Sequence, residues 1–173
     1  MPRPTYVLKA EVKDPGAATW RFPRRRTMYG GKHVAVGDVV YLFASENAGG
    51  DGLVARGVVT AARAVPRRPG VARQTPCVDV EVRRVASVVR RLGRRELKPC
   101  SSWADGRPET ELNFKLYRQA TDKLVGVSPA AAAFLARRVR SGAGAGTGAA
   151  GSAPAVRPAR PTGRRRGRRP GPA

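Results

Sequence analysis

The sequence is poor in the side chains that usually do chemistry. Among 173 residues there is one histidine, His33, and there are two cysteines, Cys77 and Cys100. A single imidazole removes the common proton shuttles and metal cages, and no G-x-S-x-G, H-E-x-x-H or D-x-D-x-D-G pattern replaces them. The cysteines form no C-x-x-C pair, so neither a disulfide framework nor a structural zinc site is expected, and both are read as buried free thiols. No metal and no cofactor is expected. No stretch approaches the ~20 apolar residues of a membrane span. The opening MPRPTYVLKAEV lacks the apolar centre of a signal peptide, which points to a cytoplasmic address, the nucleoid included, and to no membrane partner.

Acidic residues are scarce as well. Twelve Asp and Glu face 34 Lys and Arg, a formal net charge of +22. The excess of Arg over Lys, with abundant Ala, Gly and Pro, reflects codon usage in a GC-rich genome, but codon usage does not explain the shortage of acids. A chain this basic repels itself unless an anion is near, so a polyanion is the expected partner.

From residue 141 the chain reads SGAGAGTGAAGSAPAVRPARPTGRRRGRRPGPA, with no aromatic, Leu or Ile. Such a segment buries no core and is expected to be disordered. Residues 141–173 hold seven of the 34 bases, leaving 27 against 12 acids in residues 1–140, a charge of +15. The division expected is thus one folded domain, 1–140, and a basic tail, 141–173. Within the tail, Arg164, Arg165 and Arg166 suit phosphates without reading sequence.

Periodicity predicts the folded part. Residues 6–12 place Tyr6, Leu8, Ala10 and Val12 against Lys9 and Glu11, a half-buried strand. Residues 36–44 are apolar on both faces and join residues 53–61 through a Gly-rich loop as a central hairpin. Val78, Val80 and Val82 alternate with Asp79, Glu81 and Arg83, and a slip at Arg83–Arg84 predicts a bulge. Helix is scarce. A short one is expected at 94–97, and Ser128–Pro129 is an N-cap and N1 pair for a helix carrying Arg137, Arg138 and Arg140 at its end. Four or five strands with a few helices predict an α+β chain, a small mixed β pseudobarrel.

Candidate chemistry is thin. Gly30-Gly31-Lys32-His33 lacks P-loop spacing and reads as a turn, and Asp105, Glu109 and Glu111 read as solvated loop carboxylates. The aromatics carry more information. Trp20 and Phe22 in TWRFPRRR, and Trp103 in CSSWADG, sit in polar company, as the flat walls that grip an unstacked base would. Covering the ends of a barrel is the competing role. Arginine pairs recur at 67–68, 83–84, 90–91 and 94–95. Arg24, Arg25, Arg26 and Lys32 are the candidate phosphate contacts of the folded part.

The ordered series VGDVVYLFAS (36–45), GVVTAA (57–62), VDVEV (78–82), LGRRELK (92–98) and LVGVSP (124–129) resembles the EVE domain of the PUA-like superfamily, which also holds YTH and ASCH modules. The resemblance spans roughly residues 4–138. It implies a PUA-like pseudobarrel whose pocket accepts a flipped or single-stranded modified base, of the 5-methyl- or 5-hydroxymethylcytosine type in bacterial EVE modules and methylated adenine in RNA for YTH relatives. It further implies small polar pocket residues at Ser45, Glu46 and Asn47, with Trp20 on the opposite wall. Two departures stand out. Ala44 occupies a place where His often precedes the Ser, and residues 113–119 do not follow the family pattern. In that segment Asn113, Phe114, Arg118 and Gln119 either supply stacking and an amide edge to the ligand or pack as a helix through Phe114 and Tyr117.

The reading favoured is a non-catalytic nucleic-acid-binding module, with DNA carrying modified bases or RNA as partner and a nuclease or other effector as a companion protein. A PUA-like binder of transfer or ribosomal RNA is the alternative. A nuclease built on Lys32, His33 and the acidic loop, and a charge-neutralising nucleoid protein, stand behind it.

Overall fold

The computed structural model describes residues 3–119 and 122–142. The expected tail falls outside the described residues from 143 onward, and Arg164, Arg165 and Arg166 with it. Seven strands occur: β1 (Thr5–Ala10), β2 (Thr19–Met28), β3 (Val39–Ala44), β4 (Gly52–Ala64), β5 (Cys77–Val88), β6 (Leu124–Gly126) and β7 (Val139–Arg140). The helices are α1 (Arg94–Leu97), α2 (Pro108–Asn113), which continues into a wider π-helical segment (Phe114–Gln119), and α3 (Pro129–Ala136).

The strand order is β2-β6-β1-β3-β4-β5, and β2 pairs with β5 to close a six-stranded barrel. Pairings β1–β3 and β2–β6 are parallel and the others antiparallel, so the barrel is mixed. β7 adds to the end of β5. Closure demands sharp curvature, which bulges supply. Arg56 faces Ala86 while Gly57 faces Arg84, leaving Val85 as the extra residue where the Arg83–Arg84 slip predicts one.

Two apolar layers flank the barrel wall. Inside lie Tyr6, Leu8, Trp20, Phe22, Val40, Leu42, Val59, Val80, Val82 and Leu124. Outside, Val7, Tyr41, Phe43 and Val125 are covered by Leu97, Leu112, Leu116, Phe134 and Leu135 of the helices and the π-helical segment. That double cover is why residues 39–44 of β3 are apolar on both faces, while Val36 before the strand is exposed.

Five expectations are corrected. Lys9 of β1 is not on a solvent face: the helical layer covers it, leaving 3% exposed. β2 escaped the periodicity reading, although Trp20 and Phe22 alternate with Thr19 and Arg21. The last helix stops at Ala136, because Val139 and Arg140 turn back to pair with Val88 and Ser87. Asp105, Glu109 and Glu111 are not simply solvated: the last two sit on α2, and Glu111 is half-buried. The N-cap holds, with Ser128 Oγ accepting from Ala131 N at 3.1 Å. Cys77 and Cys100 are free and half-buried rather than buried.

Candidate functional site

A polar cavity opens at the barrel end formed by the C-termini of β1, β3 and β5 and the start of β4. This groove has a volume of about 740 Å³. Val12, Ala44, Leu53 and Val89 give it apolar surface, the loop of residues 48–52 gives it polar backbone surface, and its charged rim holds Lys13, Arg90 and Arg91 against the carboxylates of Glu11 and Asp51. Its size lies within the usual range for a small-ligand pocket, ~300–1,000 Å³. Such a lining suits a planar heterocycle with an anionic substituent.

The rim loop is fixed from several sides. Ser45 N donates to Ala10 O at 2.8 Å, Gly50 N to Ser45 O at 2.8 Å and Leu53 N to Leu92 O at 2.8 Å. Gly52 holds φ +78, and a Cβ there would stand 2.4 Å from Leu92 O. Arg91 binds Asp51 at 2.5 Å and Glu96 at 3.3 Å, joining the loop to α1.

Beneath the rim lies a polar knot. Lys9 Nζ sits 3.5 Å from Glu46 Oε2 and 4.2 Å over the Tyr117 ring, which compensates an ammonium buried under the helices. Glu46 Oε1 accepts from the Tyr117 hydroxyl at 2.7 Å and from Arg94 N at 3.0 Å. Burial pushes the Glu46 carboxyl upward, but Tyr117, the backbone amides of Glu46 and Arg94, and Lys9 outweigh it and hold the group below its ordinary value. Tyr117 moves the opposite way: burial first, then the Glu46 hydrogen bond and charge, keep its phenol protonated far above the usual range.

The structure divides the expected site residues into separate groups. Ser45 and Glu46 buttress the groove from below, and Asn47 is exposed on the short turn Glu46–Ala48 at its edge. Trp20 and Phe22 line the barrel interior instead of the groove, because the arginines that surround them in sequence point to the other face of β2. Trp20 Nε1 donates to Asp14 O at 2.9 Å, so its polar edge is also occupied.

Trp103, Asn113, Phe114 and Arg118 do come together, at a small cleft of about 70 Å³ that shares no residue with the groove. Trp103 is 67% exposed, and its ring lies 4.0 Å from Phe114 at an interplanar angle of 46°. Asn113 is turned inward, donating to Cys100 O at 3.0 Å, and Gln119 accepts from the Tyr29 hydroxyl. Arg25 and Arg26 pair with Val78 and Cys77 at the start of β5, at the barrel end away from the groove, Arg24 stands in the bulge before them with its N donating to Asp79 Oδ1 at 2.9 Å, and Lys32 follows on a short turn. They do not border it.

Sequence reasoning missed Lys9, Lys13 and the peptide groups of the rim loop. Lys9 carried no signal, since an alternating strand with a lysine reads as solvated until a helix covers it. Among the described residues no three metal-ligating side chains converge, and no helix is long and apolar enough to cross a membrane.

No family model matches this sequence, and no curated protein is similar to it. Solved structures share the fold. Human THYN1, in complex with DNA containing 5-methylcytosine, aligns with a TM-score of 0.53 at 15% identity, covering 76% of this chain and 95% of that one. The DUF55 domain of human thymocyte nuclear protein 1 gives 0.52 at 14%, covering 76% and 95%. A hypothetical protein from Leishmania major gives 0.51 at 19%, covering 79% and 94%. At such identities the likeness is one of fold: this chain shares the mixed, closed pseudobarrel of the DUF55 domain of human thymocyte nuclear protein 1.

Proposed function

We propose that this domain binds nucleic acid and admits one modified base, of the 5-methyl- or 5-hydroxymethylcytosine type, into the groove at the barrel mouth. The observation that carries this reading is the groove itself: an apolar wall, a polar backbone edge and a rim on which Lys13, Arg90 and Arg91 outnumber Glu11 and Asp51, in one cavity of about 740 Å³. The complex of human THYN1 with DNA containing 5-methylcytosine supports it, since that protein shares the fold. In this reading the apolar surface of Leu53 and Val89 takes the base, peptide groups of residues 48–52 meet its hydrogen-bonding edge, and the arginines hold phosphates.

The binding is non-catalytic. Of the two carboxylates in its lining, Glu11 and Asp51, the second is committed to Arg91, and the single histidine, His33, lies on a turn outside the groove, so no carboxylate–imidazole pair is built there. An effector that acts on the captured strand would be a separate protein. Burying a 5-methyl group contributes about 0.8 kcal/mol, close to a fourfold preference.

The test compares fluorescence anisotropy of two short single-stranded DNAs, one with 5-methylcytosine and one with cytosine, at matched salt, with an RNA of the same sequence as competitor. The modified strand binds more tightly, and Val89→Glu, a charge placed on an exposed groove residue, abolishes the preference. Equal binding of the two DNAs removes the base-reading claim. Preferential capture of the RNA redirects it to RNA.

A further inference from the structure

Arg90 and Arg138 meet at the outer rim of the groove. Arg138 O accepts from both Val89 N, at 2.9 Å, and Arg90 N, at 3.2 Å, so the turn before β7 is stapled to the segment lining the groove. The Arg138 guanidinium lies 4.5 Å over the Phe134 ring, a cation–π contact that holds it near the helix. Arg90 is exposed and belongs to the groove wall.

All twelve acidic side chains lie among the described residues, and their ion pairs engage Lys9, Arg21, Arg63, Arg91, Arg107 and Lys115. Arg90 and Arg138 have no such partner. The acids within electrostatic reach of Arg138 are Glu109, bound to Arg107 at 3.6 Å, and Glu96, bound to Arg91 at 3.3 Å. Burial pulls the Arg138 guanidinium below its ordinary range, Arg90 and Arg137 pull it further, and Glu109 and Glu96 only partly oppose them. Two like charges that feel one another, on segments joined by backbone hydrogen bonds and with neither ion-paired, are relieved by an anion bound near both.

We propose that Arg90 and Arg138 form a phosphate clamp, gripping the backbone phosphate next to the nucleotide whose base enters the groove. The clamp rests on the nucleic-acid reading above and adds to it the register of the strand, running from the groove across the β5–β7 edge. Guanidinium forks suit the task because two N–H groups match two phosphate oxygens, and a ring-stacked arginine loses little freedom on binding.

The experiment uses the full chain and the methylated DNA. Arg90→Gln weakens binding of modified and unmodified strands by the same factor and reduces the slope of log affinity against log salt by about 0.7, the loss of one single-strand phosphate contact. Arg138→Lys, which keeps the charge and loses the fork, weakens both strands equally with a smaller change in slope. Arg73→Gln, at an exposed loop residue, is the reference. A slope change no larger for Arg90→Gln than for Arg73→Gln overturns the clamp, as does a change in the preference for the modified base. If wild type shows no such preference while Arg90→Gln still lowers the slope, base reading fails and the clamp stands. A titration with inorganic phosphate, followed by NMR at the Arg90 and Arg138 side chains, decides the matter independently of DNA. The signals move in wild type and stay still in Arg90→Gln, and no movement in wild type overturns the proposal.

Discussion

Tyr117 donates its hydroxyl to Glu46 Oε1 at 2.7 Å, across 71 positions of sequence, and so ties the π-helical segment to the turn that begins the groove's rim. The same oxygen accepts Arg94 N, bringing α1 into the knot. A hydrogen bond to a charged acceptor contributes ~1.5–3 kcal/mol. Tyr117→Phe keeps the ring under Lys9 and removes only the hydroxyl, so urea unfolding is expected to show a loss in that range. Amide exchange quickens selectively at residues 46–52 and 94–97. Uniform quickening across the barrel would show that the bond stabilises the whole domain rather than the rim.

Acid should loosen the same region. Burial raises the Glu111 carboxyl, but Lys115 at 2.8 Å and the hydroxyl and amide of Ser128 overcome it, so Glu111, like Glu46, sits below its ordinary value of 4.5 in the folded protein. A carboxylate with a depressed folded value adds stability that is full above the unfolded value and is lost as pH falls through the folded one. Thermal unfolding midpoints therefore hold steady above pH ~5 and decline below it. Glu111→Gln lowers the midpoint at neutral pH and makes the acid decline shallower. A parallel decline in wild type and Glu111→Gln would assign the acid sensitivity to other groups.

Two glycines of the rim separate steric from conformational cost. Gly49 and Gly52 have φ of +80 and +78, so alanine at either carries the left-handed penalty of about 1–2 kcal/mol. A Cβ at Gly49 meets nothing within 4 Å, whereas one at Gly52 comes 2.4 Å from Leu92 O and 2.5 Å from Gly93 Cα. Gly52→Ala should cost clearly more than Gly49→Ala in chemical denaturation, and it alone should impair DNA binding, because it displaces the floor of the groove. Equal costs would mean that residues 92–93 yield freely.

The barrel was legible where one pattern served one face. Val78, Val80 and Val82 announce β5, and the doubly apolar residues 39–44 announce a strand covered on both sides. β2 was opaque for a reason of geometry. In TWRFPRRR the aromatics and arginines alternate, and a residue's sequence neighbours lie on the opposite face of a strand, so polar company says nothing about exposure. The bulge between Phe22 and Arg25, with Arg24 at φ 50, then breaks the alternation before it becomes readable. The resemblance pointed to Ser45, Glu46 and Asn47, which adjoin the groove without lining it, and the wall itself was not legible. Residues 11–13, 44, 48–54 and 88–91 are brought together by the order and curl of strands β1, β3, β4 and β5, and the backbone that lines the groove carries no residue-type signature.

The two tryptophans, the only ones in the chain, now make opposite predictions. Trp20 is 7% exposed and fills the barrel, so Trp20→Ala is expected to cost about 3–5 kcal/mol. Trp103 is 67% exposed, and its loss removes only the ring contact with Phe114, worth about 0.5–1.5 kcal/mol. Fluorescence reports each in turn: iodide quenches the emission that remains in Trp20→Phe, which is that of Trp103, and spares the emission that remains in Trp103→Ala. Binding then decides which aromatic surface reads the base. If the groove does so, Trp103→Ala retains the preference for 5-methylcytosine, because Trp103, Asn113, Phe114 and Arg118 share no residue with the groove. If Trp103→Ala removes the preference while Val89→Glu leaves it, the reading surface is the Trp103–Phe114 cleft, and the groove serves only the strand's path.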